Sequence, residues 1–176
     1  MRIVKLLPDR WRDYQAIRLE ALRTNLDAFG ATLEATLQRP EAWWRGVLET
    51  AQAEPNKTAL FAETPDGIIG LAGAYPEQEP RCVDITSMFV TPSERGKGVG
   101  RALLQAVVDE VVAERVRLCV NASILAAVGL YERFGFVTLS ESMGTRSRGG
   151  DGSGDNRGNG GCQSPRVRRP GMNAGS

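Results

Sequence analysis

Hydrophobic and polar residues follow two different periods along the chain, and these periods predict its helices and strands. Six segments alternate with period two or form short apolar runs, as strands do, and they span residues 3–7, 58–63, 68–75, 83–90, 116–120 and 136–139. Four segments keep helical spacing, and they begin at Asp9, at Pro40, near Gly98 and at Ser123; the third of them should end at about Glu114. Trp43 and Trp44 lie on the buried stripe of the second helix, where we expect them to form core.

The order of these elements predicts a mixed sheet flanked by helices. The turn at 64–67, with Pro65 and Gly67, joins two strands into an antiparallel hairpin. After residue 83, strands and helices alternate, which implies crossover connections between parallel strands. The fold class is therefore α/β (α+β), with one domain at residues 1–143. Residues 144–176 are rich in glycine and arginine and carry a net charge of +4, so we expect a disordered tail.

The composition excludes several functional classes. Lys and Arg number 22 against 21 Asp and Glu, so the chain lacks the basic field that holds nucleic acids. There is no histidine, which removes the commonest general base and most zinc sites, and we expect no metal. The 3 cysteines lie far apart, as is typical of a reducing compartment, and no apolar run is long enough to span a membrane. We expect a cytoplasmic protein that acts on a small molecule or peptide.

The most informative segment runs from a strand through a glycine loop into a helix, over residues 88–101. Closely spaced glycines let neighbouring amides point toward one anion, and the start of the helix adds partial positive charge. The loop lacks the Ser or Thr of an ATPase phosphate loop after Lys97, and Arg101 replaces the third glycine of a dinucleotide-binding loop. A pyrophosphate seat is the functional interpretation, and a plain flexible connection with solvated cations is the structural one.

The segment from Val83 to Phe136 resembles the GNAT N-acetyltransferases. That family has a strand ending in V-x-P, then [RQ]-x-x-G-x-[GA] at the start of a helix, and later LYxxxGF. The chain matches these elements in order at 90–92, 95–100 and 130–136. The resemblance implies acetyl-CoA as cosubstrate, an amine as acceptor, and a mostly antiparallel twisted sheet with a central splayed pair of parallel strands.

The resemblance also assigns roles to individual residues. The pantetheine arm of acetyl-CoA would pair with the backbone of the fourth strand, the loop would hold the pyrophosphate, and Asn121 would contact the arm. The implied cofactor-binding residues are Met88, Phe89, Val90, Arg95, Gly96, Lys97, Gly98, Val99, Gly100, Arg101 and Asn121. Tyr131 occupies the position of the acid that protonates the departing thiolate, although a packing role is the alternative.

An amine must lose a proton before it attacks a thioester, so a carboxylate or a water chain is needed nearby. Asp84, upstream of Met88 on the same strand, is our candidate base, and a surface charge is the alternative.

Two departures from the family pattern keep other functions open. Ile124 stands where the family has asparagine, and the tail shows no alternating run for the family's last strand, which we expect to be missing. A non-catalytic or C-terminally damaged acyl-CoA-binding protein is therefore an alternative. The arginines of the tail also permit nucleic-acid binding, but the tail has no aromatic residue to stack on bases. A homodimer stays open.

Overall fold

The computed structural model describes residues 1–25, 32–76, 81–119, 125–139 and 166–169. Its strands are β1 (Arg2–Val4), β2 (Thr58–Thr64), β3 (Gly67–Pro76), β4 (Cys82–Val90), β5 (Arg115–Cys119), β6 (Val137–Leu139) and β7 (Arg166–Arg169). Its α-helices are α1 (Trp11–Thr24), α2 (Leu33–Leu37), α3 (Glu41–Ala53), α4 (Val99–Glu110) and α5 (Leu125–Arg133). Short 3₁₀ turns at Pro8–Arg10 and Pro92–Glu94 precede α1 and α4.

The strands form one sheet in the order β1-β2-β3-β4-β5-β7-β6. All neighbouring strands are antiparallel except β4 and β5, which are parallel and joined through α4. The mixed α/β architecture expected from the sequence is thereby confirmed, with its parallel pair at the centre of the sheet.

Each face of the sheet buries its own core, because successive side chains of a strand point to opposite faces. One core lies under α4 and α5 and contains Leu103, Leu104 and Val107. The other lies under α1 and α3 and contains Phe61, Phe89 and Trp44. Trp44 is fully buried, so the expectation of a core tryptophan is confirmed.

The structure corrects the expectation that the last strand is missing. Residues Arg166–Arg169 pair antiparallel with β5 on one side and with β6 on the other. Val167 is the only apolar residue of this strand, so it has no alternating pattern for the sequence to reveal. Its place in the sheet depends on backbone hydrogen bonds, which any residue except proline can make. The segment expected to be a disordered tail therefore contributes a strand, and its other residues lie outside those described.

One helix was not predicted from the sequence, and another ends earlier than expected. Helix α2 has a single turn capped by Thr32, whose hydroxyl accepts a hydrogen bond from the amide of Ala35 at 3.2 Å. So short a helix shows no apolar period. Helix α4 ends at Glu110 rather than near residue 114, because the backbone is extended from Val111. No helix within the described ranges is long and apolar enough to cross a membrane.

Candidate functional site

The two central strands separate at one end and form a wedge. Parallel pairing of β4 with β5 ends at Ile85 opposite Leu118, whereas β4 continues to Val90. The stretch predicted to pair with a cofactor arm, Met88–Val90, therefore lies beyond the last residue that is bonded to β5. The resemblance implied a central pair of parallel strands that separate at one end. The register agrees, because pairing with β5 stops five residues before the end of β4.

A β-bulge bends β4 where the wedge opens. Thr86 lies opposite Gly73 and Phe89 opposite Leu71, so β4 uses one residue more than β3 over this stretch. Ser87 takes up the extra length with a φ of 57°, a left-handed conformation that is uncommon outside glycine. The bulge reverses which residues face each side, so Phe89 packs into the α1 core while Met88 and Val90 pack on the α4 side.

The glycine loop leaves open space in front of the first turn of α4. Gly98 is the N-cap residue of α4 with a φ of 85°, and Gly96 has a φ of 77°. A Cβ atom added to either glycine would meet no described atom within 4 Å. Positive φ values explain why both residues are glycines, and the open space leaves their amides and those of the first helical turn accessible. The geometry suits an anion placed over the loop.

The cations of the loop are not equivalent. Arg95 Nε donates a hydrogen bond to the carbonyl oxygen of Val90 at 3.0 Å, which ties the loop back to the end of β4. Lys97 Nζ lies 3.0 Å from Glu94 Oε1. Arg101 is exposed on the first turn of α4. We therefore expect Lys97 and Arg101 to contribute charge to a bound anion, while Arg95 also shapes the loop.

Val99 and Gly100 connect the loop to the core. The side chain of Val99 is buried, and a Cβ atom on Gly100 would lie 3.4 Å from Leu130 Cδ2 and 3.7 Å from Val90 Cγ2. Both distances are ordinary van der Waals contacts, so packing against α5 and β4 does not by itself require a glycine at this position. The backbone amides of Val99 and Gly100 are candidates for contacts with a bound anion. The side chain of Val99 packs into the core.

Tyr131 lies on the buried face of α5. Only 6% of its surface is exposed, and its ring packs edge-on against Phe136 with the ring centres 6.1 Å apart. Burial raises the pKa of the Tyr131 phenol to about 12. The phenol is therefore protonated at neutral pH and can donate a hydrogen bond, as a general acid must. Gly135, with a φ of 92°, ends the helix and directs Phe136 back toward this ring.

Asp84 is paired with an arginine on the neighbouring parallel strand. Arg117 Nε donates a hydrogen bond to Asp84 Oδ1 at 3.0 Å, and both side chains are largely buried. Their flanking residues on β4 and β5 belong to the α4 core, so Asp84 and Arg117 point to the α1 face. The pair lies on the closed side of the wedge, one residue before the last paired position. A proton taken up by Asp84 would leave the charge of Arg117 opposite a neutral acid.

Sequence reasoning missed Arg18 on α1. Only 8% of its surface is exposed, and its Nη1 lies 3.2 Å from Ser87 Oγ at the bulge. A signal for it existed, because Arg18 stands four residues after Tyr14 and one after Ile17, inside the apolar stripe of the helix. A charge in a buried stripe indicates either a partner or a function. Asn121 and Ile124, in contrast, lie outside the described residues.

A groove formed by described residues lies away from these positions. It has a volume of about 320 Å³ and lies at the other end of the sheet, where α3 and α4 end and β2 begins. Its charged groups are already paired, with Lys5 Nζ 2.6 Å from Glu110 Oε1 and Lys57 Nζ 3.5 Å from Glu54 Oε2. None of the predicted site residues lines this groove.

Comparison with known proteins identifies relatives of both the sequence and the fold. The model of the acetyltransferase (GNAT) family matches residues 11–136. A mycothiol acetyltransferase from Streptomyces griseus is 33% identical over 97 residues, which cover 52% of this chain and 32% of that protein. The chain thus matches about a third of the length of that curated relative.

Solved structures of the same fold cover nearly the whole chain. A ribosomal-protein-alanine N-acetyltransferase from Brucella melitensis has a TM-score of 0.71 at 16% identity, covering 97% of this chain and 99% of the other. A putative acetyltransferase from Salmonella typhimurium, solved with acetyl-CoA, has a TM-score of 0.70 at 15% identity, covering 100% and 96%. At this level of identity the likeness establishes the fold.

Proposed function

The chain belongs to the acetyltransferase (GNAT) family, and we propose that it transfers an acetyl group from acetyl-CoA to a primary amine of a small molecule or peptide. The observation that carries this proposal is that the unpaired end of β4 leads directly into the glycine loop. Beyond Ile85, strand β4 is no longer paired with β5, and 11 and 13 residues later the chain reaches two glycines with positive φ, Gly96 and Gly98, at the start of a helix. One extended ligand with an anionic end can occupy both.

The residues fit such a ligand. The space in front of Gly96 and Gly98 is open, and Lys97 and Arg101 are exposed beside it. Helix N-termini with cations nearby favour phosphate groups. Acetyl-CoA would supply an activated acetyl group and a thiol as leaving group. The backbone of Met88–Val90 would hold its arm, and the loop would hold its pyrophosphate, as the family resemblance implies.

Tyr131 and Asp84 are the proposed proton-transfer groups. Tyr131 keeps its proton at neutral pH and would donate it to the departing sulfur. Asp84 would accept the proton of the amine, directly or through water, while Arg117 holds the carboxylate in place. This ion pair also stabilises the charged carboxylate, so the role of Asp84 has a test of its own below.

A non-catalytic acyl-CoA-binding protein is the competing interpretation. It rested on Ile124 and on a missing last strand, and β7 removes the second of these reasons. The two interpretations differ in one experiment. Acetyl-CoA should raise the melting temperature by mass action in both, because any ligand of the folded state does so. Release of CoA in the presence of a panel of amines, amino acids and peptides is expected only for the enzyme.

Each result has one meaning. Stabilisation with amine-dependent release of CoA supports the transferase. Stabilisation without release of CoA in the presence of any of the amines supports the binding protein. Absence of stabilisation by either acetyl-CoA or CoA, at millimolar concentration, contradicts both.

A further inference from the structure

Ser87 has a left-handed backbone in the middle of a strand. Among the described residues, Asn56, Arg81 and Ser87 are the non-glycine residues with positive φ. The first two lie in connections between elements, whereas Ser87 lies inside β4. This conformation is disfavoured for any residue with a Cβ atom, and such residues cluster at functional sites. Glycine would fit this backbone better, so the hydroxyl group of Ser87 is the feature that needs an explanation.

The hydroxyl of Ser87 accepts one hydrogen bond and keeps its own proton. Arg18 Nη1 donates to Ser87 Oγ at 3.2 Å, and no described residue accepts the Ser87 proton. Because the guanidinium group has donors and no acceptor, this contact uses a lone pair of the oxygen and leaves the proton for another partner. A cation that donates to the oxygen also polarises the O–H bond, which strengthens the hydrogen bond that the proton can make.

The backbone register places Ser87 at the opening of the wedge. It lies two residues beyond Ile85, where pairing with β5 ends, and directly before Met88–Val90. An arm of acetyl-CoA that pairs with Met88–Val90, with its pyrophosphate at the loop, would run back along β4 toward the bulge. The thioester would then lie beside Ser87, a placement that rests on the proposed function.

The preceding hydroxyl group, that of Thr86, shows what the bulge changes. Thr86 Oγ1 is buried without a partner among the described residues, and a Cβ atom added to Gly73 would lie 3.2 Å from it. It is therefore closed off against β3. Ser87 is partly exposed and reaches toward α1, as expected for a bulge that re-aims a side chain. Of these two hydroxyl groups, that of Ser87 is the one placed to meet a ligand in the wedge.

Ser87 and Tyr131 lie on different faces of the sheet. Tyr131 belongs to the core under α4 and α5, whereas Ser87 contacts a residue of α1. A thioester has two atoms that need a donor during acyl transfer, because the carbonyl oxygen gains charge when the amine attacks and the sulfur gains charge when it leaves. One hydroxyl group on each face can serve one of these atoms each.

We propose that Ser87 is a catalytic residue whose hydroxyl group donates a hydrogen bond to the carbonyl oxygen of the bound acetyl group. As the amine nitrogen bonds to the carbonyl carbon, the π electrons move onto the oxygen, and the hydroxyl stabilises the charge that develops there. Collapse of this intermediate restores the carbonyl and breaks the C–S bond, and the sulfur leaves with the electron pair. Ser87 keeps its proton throughout, since the base takes the proton of the amine and the acid supplies that of the thiol.

Infrared spectroscopy of bound acetyl-CoA tests this contact without turnover. Difference spectra between acetyl-CoA with and without an isotopic label at the carbonyl carbon isolate the stretching band of that bond. A hydrogen bond weakens the carbonyl bond, so we expect the band at lower wavenumber in the wild-type complex than in the Ser87→Ala complex. Thr86→Val removes the neighbouring hydroxyl group and should keep the wild-type band. An identical band in wild type and Ser87→Ala would overturn the inference.

Kinetics of two variants separate catalysis from backbone conformation. Ser87→Ala should lower kcat by about a hundredfold with little change in acetyl-CoA affinity, as loss of one donor to an oxyanion does. Ser87→Gly should lose as much activity, yet it should melt above Ser87→Ala because glycine suits a φ of 57°. Thr86→Val should keep its kcat. Full turnover in Ser87→Gly, or a loss in Thr86→Val equal to that in Ser87→Ala, would contradict the assignment.

Failure of this inference and failure of the proposed function give different results. Absence of any stabilisation by acetyl-CoA overturns both. Stabilisation with the same carbonyl band in wild type and in the Ser87 variants overturns the inference alone, whether or not an amine is turned over. If Ser87→Ala does not fold, Ser87→Gly replaces it in both measurements, because the left-handed backbone at this position favours glycine.

Discussion

Arg117 on β5 donates its Nε–H to the Asp84 carboxylate on β4 across 3.0 Å, so the parallel strands that part at the wedge are joined by an ion pair just before they separate. Asp84 retains 24% exposure of its side chain and Arg117 only 10%. Such a pair contributes most through the penalty of leaving one charge unpaired. The ion pair can hold the two strands in position, take part in proton transfer, or do both.

Our first prediction separates these roles. Asp84→Asn should lower the free energy of unfolding by about 2 kcal/mol, since it leaves the Arg117 charge without its carboxylate. It should also lower turnover by about a hundredfold if Asp84 is the base. Adding Arg117→Gln should restore stability but not turnover. Recovery of turnover in the double variant, measured with urea denaturation alongside, would show that Asp84 only positions the strands.

The second prediction concerns the cations of the loop. Lys97→Glu combined with Arg101→Glu should abolish the stabilisation of the protein by acetyl-CoA, because two positive charges beside the phosphates become negative. Arg12→Glu with Arg23→Glu makes the same change of net charge on exposed positions of α1 and is the control. Calorimetric titration gives the affinities. An unchanged affinity in the loop variant would exclude this loop as the phosphate site.

The third prediction concerns Gly98. Gly98→Ala should cost about 1 kcal/mol of stability because of its positive φ, and it should weaken acetyl-CoA binding by tenfold or more, since Cβ enters the open space over the loop. Gly67→Ala also places an alanine at positive φ, here 131° in the turn between β2 and β3, and should leave the affinity unchanged. Equal effects on affinity in both variants would make the glycine purely structural.

The fourth prediction concerns Tyr131. Tyr131→Phe should lower kcat by about a hundredfold with little change in acetyl-CoA affinity, because it removes the phenolic proton and keeps the ring. The expected loss applies where departure of the thiolate limits the rate. Turnover is measured from pH 6 to 10. Full activity of the variant across this range would mean that Tyr131 only packs.

Alkaline unfolding is the control for the environment of this ring. The folded pKa of Tyr131 is about 12, above the ordinary value near 10. Below pH 10 the phenol is neutral in both states and adds no pH dependence. Above it, the unfolded state loses its proton first, so stability falls as pH rises toward 12. Tyr131→Phe should lose less stability than the wild type over this window.

The fifth prediction tests β7. Val167→Pro should lower the melting temperature by several degrees. Strand β7 is bonded on both sides, and proline would remove one backbone N–H donor and place its ring between the neighbouring strands. Val167→Ala keeps the N–H group and is the matched control. If Val167→Pro melts no lower than Val167→Ala, the strand does not contribute to the stability of the sheet.

The sequence predicted those parts of the fold that repeat a pattern. The alternation around Phe61, Leu71 and Phe89 predicted three strands, and Pro92 and Gly98 marked the ends of the loop. The strand at Val167 and the single turn of α2 have no such pattern. Helix α4 was predicted too long because Val111 and Val112 continue its apolar run. In the structure the Val112 amide donates instead to Asn56 Oδ1 at 2.7 Å.

The candidate site was predictable only where its residues share a motif. Gly96, Gly98 and Tyr131 stand in short matches to a family and were found, although their roles remain predictions. Arg18 and Ser87 are 69 positions apart and meet only through the packing of α1 on the sheet. The cytoplasmic location and a homodimer also stay predictions.

The insertion of β7 between β5 and β6 has a consequence for the order in which the protein can be assembled. Among the residues that the structure describes, strand β6 is bonded to the sheet only through β7, and β6 directly follows the helix that carries Tyr131. During synthesis from the N-terminus, residues 1–119 can collapse around β4 long before Arg166 leaves the ribosome. The β6 strand that follows the Tyr131 helix is joined to β5 only afterwards. Completion of the sheet beside Tyr131 should therefore wait for translation of β7.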